Sequence, residues 1–256
     1  KKKNYSSDFI ATFNRNVSKK YEKYINTKFI YSGSIKNNYI KISNSKKKYK
    51  NYILYISAYR DKLTSIQNGK ISFNDIDIRH MTKHKNLLQE HIHFDLPQIL
   101  QTYCKKNKLK LAILGMSNNI EEENFYRKII KNDFKFIKKK NVYSSYKDLD
   151  NFDLAVSSIS TLGYEALSRG KKICFFVPKI SSVEKSYKFG WPYIKKEKGF
   201  FFSNKCNYGE VSKILNNLRL MKIKTWKEKI RLYQNGLMIY DKNNFILKKK
   251  IANLLN

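Results

Sequence analysis

The sequence predicts an α/β fold built on a Rossmann-like, parallel, doubly wound sheet. Three observations carry this expectation. Short apolar runs alternate with segments of helical period along most of the chain, the pattern of strands joined through helices. The run from Asp153 to Val177 reads as strand, polar loop, short helix, glycine stop and strand, and two strands joined through a helix are parallel with a right-handed crossover. The chain of 256 residues is 41% hydrophobic, with 16 Phe and 19 Tyr, which is ample for a core in one large or two small domains.

In chain order, residues 8–13 read as a strand. Residues 15–26 read as a basic helix with Val17, Tyr21, Tyr24 and Ile25 on its apolar stripe. Phe29 to Tyr31 is a short strand ending at Gly33-Ser34. This piece reads as the remnant of an N-terminal α/β domain. The start, Lys1-Lys2-Lys3-Asn4, has neither a methionine nor an apolar signal region, so the chain reads as the later part of a longer one. Residues 41–51 are polar and basic and read as a linker, which divides the chain into 1–45 and 46–256.

The second domain opens on a buried strand, Tyr52 to Ser57. Residues 61–85 have no regular pattern. Residues 94–106 form an amphipathic helix through Leu96, Ile99, Leu100 and Tyr103, with Pro97 in its first turn. A strand follows at Leu109 to Leu114. The helix Glu121 to Ile130 has acids at its N-terminal end and basic residues near its C-terminal end, as the helix dipole favours. Phe134 to Ile137 is a strand and Tyr143 to Leu149 a helix. Then come the strand Leu154 to Val156, the helix Tyr164 to Arg169 and the strand Ile173 to Val177. Phe200 to Phe202 is a last strand, and Glu210–Leu220 and Thr225–Tyr233 are closing helices. The tail carries apolar residues at helical spacing, suited to packing back or to touching a membrane surface.

In an open parallel sheet the ligand crevice lies beyond the carboxyl ends of the strands. Ser158, Ser160, Thr161, Leu162 and Gly163 fall there, at the front of a helix whose first N–H groups lack internal partners and attract an anion. Gly163 lets a phosphate come close to the backbone, and Ser160 and Thr161 add hydroxyl donors. Glu165 is expected in the first helical turn, where it accepts hydrogen bonds from sugar or ribose hydroxyls. The alternative is ordinary N-capping by Ser and Thr. Ser57 and Arg60 close the preceding strand and put a cation at the same mouth, unless Arg60 is simply solvated. Gly115 and Ser117 form a second small, polar loop after a strand. Gly190 and Trp191, in Phe189-Gly190-Trp191-Pro192, either wall the crevice or pack it shut.

The formal charge of +33 raises the question of nucleic acid. Only seven of the basic residues are arginines, the residue that forks onto bases and phosphates, and the lysines are spread along the chain rather than gathered in a stripe. Nucleic acid is therefore not the expected partner. The positive field suits anionic substrates and peripheral contact with anionic lipid headgroups at the inner face of a cell membrane. No apolar run approaches the roughly 18–20 residues that a membrane span needs, and a cytoplasmic protein is expected. Cys104, Cys174 and Cys206 are scattered, without a C-x-x-C pair, and suggest neither disulfides nor a metal. His80 and His84 have helical metal spacing but no third ligand, and His91 and His93 read as surface residues. Asp75-Ile76-Asp77 and Asp148-Leu149-Asp150 fit a D-x-D pattern but follow no convincing buried strand. Neither a metal nor a cofactor is expected.

The span Leu109–Ser203 resembles the C-terminal part of bacterial surface carbohydrate (surface polysaccharide) biosynthesis proteins, glycosyltransferases of GT-B type with two Rossmann-like domains. The matching pieces are L-A-I-L-G at 111–115, E-x-x-F-Y at 122–126, Y-S-S-Y at 143–146, S-T-L-G-Y-E-A-L-S-R-G-K-K at 160–172 and F-G-W-P at 189–192. Upstream, the segment at 33–38 and Tyr55-Ile56-Ser57 sit where such proteins pass from the first domain into the second. The resemblance implies a nucleotide-sugar donor as substrate and a glycan or lipid-linked acceptor. Ser160, Thr161 and Gly163 would take the donor phosphates, Glu165 the sugar or ribose hydroxyls, and no bound metal is needed. Met116 stands where the family often has arginine. A nucleotide-sugar 2-epimerase or a polyol-phosphate transferase on the same scaffold is an alternative, and a basic nucleic-acid-binding module is one of another class.

Overall fold

The computed structural model describes residues 5–42, 47–59, 91–131, 133–177, 188–190 and 193–255. Arg60, Trp191, His80, His84, Asp75 and Asp77 lie outside the described residues, as do the side chains of His91 and His93.

Two parallel sheets form. The smaller pairs β1 (Ser6–Thr12) with β2 (Asn26–Tyr31), joined through α1 (Arg15–Tyr21). Asn14 caps α1 by accepting from the amides of Asn16 and Val17. A one-turn helix, α2 (Ile35–Asn38), follows. The basic helix is shorter than the sequence suggests, and the chain turns at 22–25 into a longer strand, β2.

The larger sheet has six strands: β3 (Tyr49–Ile56), β4 (Lys110–Leu114), β5 (Lys135–Ile137), β6 (Phe152–Ser157), β7 (Ile173–Phe176) and β8 (Phe202–Ser203). Their spatial order is β5-β4-β3-β6-β7-β8 and every pairing is parallel. This is a doubly wound, Rossmann-like sheet in which the winding direction reverses between β3 and β6. Its inner strands are covered on both faces, so their residues form continuous apolar runs: Ile53 to Ile56, Leu111 to Leu114 and Leu154 to Val156 are buried almost completely.

The crossovers are α3 (Leu96–Lys106), α4 (Ile120–Ile129), α5 (Ser144–Asp150) and α6 (Thr161–Ser168). On α3, Leu96, Leu100, Tyr103 and Cys104 turn one face to the sheet, with Pro97 in the first turn. Asp148 and Asp150 fall on α5, as helix acids. Two closing helices, α7 (Tyr208–Leu220) and α8 (Ile223–Leu237), pack over the β7–β8 end, where Phe175, Phe189, Phe201, Phe202 and Trp226 form an aromatic core. The Trp226 indole N–H donates to the Gly170 carbonyl at 3.1 Å. Of the expected strand at 200–202, Phe202 alone lies in β8, and Phe200 and Phe201 fill the core instead.

The last helix, α9 (Phe245–Leu255), returns to the small sheet and packs along β2. Several hydrogen bonds tie the two ends of the chain together. Asn14 Nδ2 donates to the Leu237 carbonyl at 2.6 Å, the Ile239 amide donates to the Phe13 carbonyl at 3.1 Å, and Asn38 Nδ2 donates to Asn244 Oδ1 at 2.8 Å. Gly33 bridges to Tyr240 at φ +71°, where a side chain would run into the Ile239 carbonyl.

Two further sequence expectations change here. The linker proposed at 41–51 is too long at its far end, because Tyr49-Lys50-Asn51 already belong to β3. The short helix of the central unit starts at Thr161, not Tyr164, so Gly163 lies inside it.

Candidate functional site

The carboxyl ends of β3, β4 and β6, at the point where the winding reverses, open onto a crevice of about 300 Å³. Five of the sequence-predicted residues line it: Ser57, Gly115, Ser160, Leu162 and Glu165. Lys36, Lys139, Ser145 and Tyr146 also line it. No local pattern in the sequence gives these four a role, although Ser145 and Tyr146 stand in the Y-S-S-Y segment and Lys36 follows Gly33-Ser34 and Ile35.

Glu165 is held differently from expectation. It lies in the second turn of α6, is 7% exposed, and is engaged by protein partners. The Ser34 hydroxyl donates to Oε1 at 2.5 Å and the Tyr146 hydroxyl to Oε2 at 2.9 Å. Burial, and then the Glu165 charge, push the Tyr146 phenol well above its ordinary pKa, so it remains a donor. Each carboxylate oxygen keeps a further lone pair for a ligand hydroxyl. The Arg169 guanidinium stacks on the Tyr146 ring at 5.2 Å and donates through Nη1 to Asn37 Oδ1 at 2.6 Å. Asn37 in turn donates to Ser168 Oγ at 2.9 Å. The segment Ser34–Asn38 is thereby fastened onto α6 and supplies one wall of the crevice.

Gly163 has a packing role. A Cβ there would meet Ser157 Oγ at 2.5 Å, Ser157 Cβ at 2.7 Å and the Phe175 ring at 2.9 Å. The glycine lets α6 lie close against β6 and β7. Its amide already donates to the Ser160 carbonyl at 3.0 Å, so neither its space nor its N–H serves a phosphate as the sequence suggested. Ser160 stands at the N-cap position but makes no capping bond, which leaves its hydroxyl to the crevice.

Thr161 and Gly190 line a different cavity, of about 210 Å³, on the other side of the α6 front, together with Asn14, Tyr193 and Gly236. Ser160 and Thr161 therefore do not converge on one ligand. Gly190 (φ +67°) donates its N–H to the Tyr164 hydroxyl at 3.2 Å, and Phe189 stacks on the Tyr164 ring, so this turn packs into the core. Ser158 is fully buried and lines neither cavity. Its hydroxyl sits against the Tyr55 phenol outside hydrogen-bonding geometry, and the phenol donates to the Ile92 carbonyl at 3.0 Å. Ser57 is also buried; its hydroxyl pairs with that of Tyr126 at 2.8 Å and accepts from the Tyr59 amide.

The loop after β4 is already occupied by an anion of the protein's own. Glu122, fully buried, accepts from the Met116 amide at 3.0 Å, the Ser117 amide at 3.0 Å and the Ser117 hydroxyl at 3.1 Å. Ser117, in the loop that the sequence offers to a ligand, thus spends both its donors within the protein. Gly115 still forms the crevice floor, its amide bonded to the Ile137 carbonyl and its face against Phe136. Glu122 opens the quoted E-x-x-F-Y segment, at the third position of a helix capped by Asn119, where an acid can reach back to preceding amides. The sequence carries this signal in the third-position acid as well as in the dipole-favoured acids around it.

Among the described residues no group of three or more His, Cys, Asp or Glu side chains could hold a metal, and no helix is long and apolar enough to cross a membrane. The cysteines are free, and burial pushes the Cys104 thiol up to about 12.

A family model described as "putative O-antigen biosynthesis protein" matches residues 1–255. No curated protein matches the chain. Among solved structures, that of S. aureus MnaA in complex with UDP is similar at 12% identity and a TM-score of 0.47, over 89% of this chain and 52% of that one. The chain thus spans about half the length of that structure.

Proposed function

The chain belongs to this family of O-antigen biosynthesis proteins, and from that premise we propose that it binds a nucleotide-sugar donor in the crevice at the β3–β6 reversal and takes part in sugar transfer to a growing surface polysaccharide. One observation carries the reading. The winding reversal of the sheet coincides with a crevice that has two lysines, free hydroxyl groups and a preorganised carboxylate on its walls.

The chemistry follows from those walls. In glycosyl transfer an acceptor hydroxyl attacks the anomeric carbon and gives its proton up to solvent or a base, the bond from that carbon to the phosphate oxygen breaks, and its electron pair leaves with the nucleotide. Negative charge grows on the departing phosphate. Lys36, Lys139 and the amino end of α6 are placed to stabilise it. The Ser160 hydroxyl donates to the same phosphate. Glu165, fixed by Ser34 and Tyr146, accepts from a ribose or sugar hydroxyl and orients the donor.

Calorimetric titration with UDP-, GDP-, CMP- and dTDP-sugars tests this. One of them binds, and Ser160→Ala weakens it by about 1.5–3 kcal/mol, the worth of a hydrogen bond to a charged group. Thr161→Ala, which faces the other cavity, is the neighbouring control and has a smaller effect. A Ser160→Ala protein that binds the donor as the wild type does removes the crevice from consideration. Conversion of the donor to an isomeric sugar without acceptor would make the protein an epimerase instead.

A further inference from the structure

A second charged cavity lies at the opposite end of the sheet, where β6 and β7 begin. It has a volume of about 320 Å³, and Lys47, Arg169, Lys171, Lys172 and Lys227 line it against the carboxylates of Asp150 and Asp153. Five basic side chains thus face two acidic ones in one enclosure.

The cations are only partly satisfied by the protein. Lys47 donates to the Asp150 carbonyl at 2.9 Å, Lys171 to the Phe152 carbonyl, and Lys172 to the Leu218 and Met221 carbonyls at 2.9 and 2.7 Å. An ammonium has three donors, so Lys47 and Lys171 keep some in reserve. Arg169 is 5% exposed, yet its Nη2 makes no hydrogen bond; its nearest acid, Asp150 Oδ1, is 3.7 Å away. A buried guanidinium edge without an acceptor is costly. Burial, and then the neighbouring Lys47 charge, depress the Lys171 ammonium to about 7, so a bound anion would favour its charged form. Ile42 and Ile223 form an apolar part of the lining.

We propose that this cavity binds a small phosphomonoester, with the phosphate held by Arg169, Lys171 and Lys227 and the organic part resting against Ile42 and Ile223. The oxygens of a phosphate supply the acceptor that Arg169 Nη2 lacks and the charge that the lysines call for. The cavity shares no lining residue with the donor crevice, and Arg169, which also stacks on Tyr146 of the crevice wall, is the residue that links the two.

The test is calorimetric titration of the full chain with glucose 1-phosphate and, separately, with inorganic phosphate. Lys227 lies on the exposed face of α8, so Lys227→Ala keeps the fold even where Lys171→Met does not. The ester binds to the wild type more tightly than inorganic phosphate does, and each variant that folds binds it about tenfold or more weakly, as expected for loss of one charged donor. Absence of binding by the wild type, or unchanged affinity in Lys227→Ala, overturns the site. Equal affinity for the two anions overturns the assignment to an ester.

Discussion

A carboxylate placed under a loop competes with any anion that the loop amides would otherwise attract. Glu122 does this beneath Met116 and Ser117, and it removes from the candidate site a loop whose Gly-x-Ser composition alone suggests ligand binding. The same geometry makes Glu122 a large single contributor to stability. Glu122→Ala leaves two buried or half-buried amides and a hydroxyl without their acceptor and opens a cavity between α4 and β4. The expected loss is about 2–4 kcal/mol, from the donors left without an acceptor and the buried side chain removed. Glu122→Gln, which keeps one acceptor oxygen but points an NH₂ at donors, loses less. Urea denaturation midpoints at constant slope measure both. A Glu122→Ala protein as stable as the wild type would show that water satisfies the loop and that these amides are open to a ligand after all.

At the scale of the element, α6 depends on one glycine. Gly163 sits where the helix rides over Ser157 and Phe175, so Gly163→Ala forces the helix off the sheet although alanine is the better helix former. Overpacking of this kind costs about 1–3 kcal/mol, against a propensity gain of about 1 kcal/mol, and the net expectation is destabilisation. Thermal unfolding reads the sign directly; a raised melting temperature would mean that the helix can shift freely. The example also shows why the sequence misplaced this element. A glycine after Ser and Thr reads as a helix boundary, and only the close approach of two strands reveals it as a packing position. Strands buried on both faces were legible because their apolar runs are unbroken, as in Leu111–Leu114. The first three residues of β3 were not, because Tyr49 to Asn51 is largely exposed there and looks like linker. The crevice residues following β3, β4 and β6 were legible as small residues after apolar runs. Ser34 and Lys36 were not, since Ser34 meets Glu165 across 131 residues of chain, a distance that no local pattern spans.

Across the whole molecule, the crevice wall made by Ser34–Asn38 is held in place from behind by the end of the chain. Asn38, fully buried, donates to the Ser32 carbonyl at 2.6 Å and to Asn244 Oδ1 at 2.8 Å, and accepts from the Asp241 amide at 3.0 Å. Asp241 in turn accepts from the Ile246 amide at 2.9 Å and so starts α9, which covers β2. One side chain therefore couples the small sheet, the tail and the wall that carries Lys36. Asn38→Ala breaks all three bonds, and the buried partners left behind make a loss of about 2–4 kcal/mol the expected cost. A purely structural role would end there. If the wall belongs to the donor site, the variant also binds its nucleotide sugar more weakly at temperatures where it is fully folded, with the Ser160→Ala effect reduced because the two act through the same bound phosphate. A double-mutant cycle on donor affinity separates the cases. Additive effects of Asn38→Ala and Ser160→Ala would mean that the small sheet and the α6 front serve different ligands.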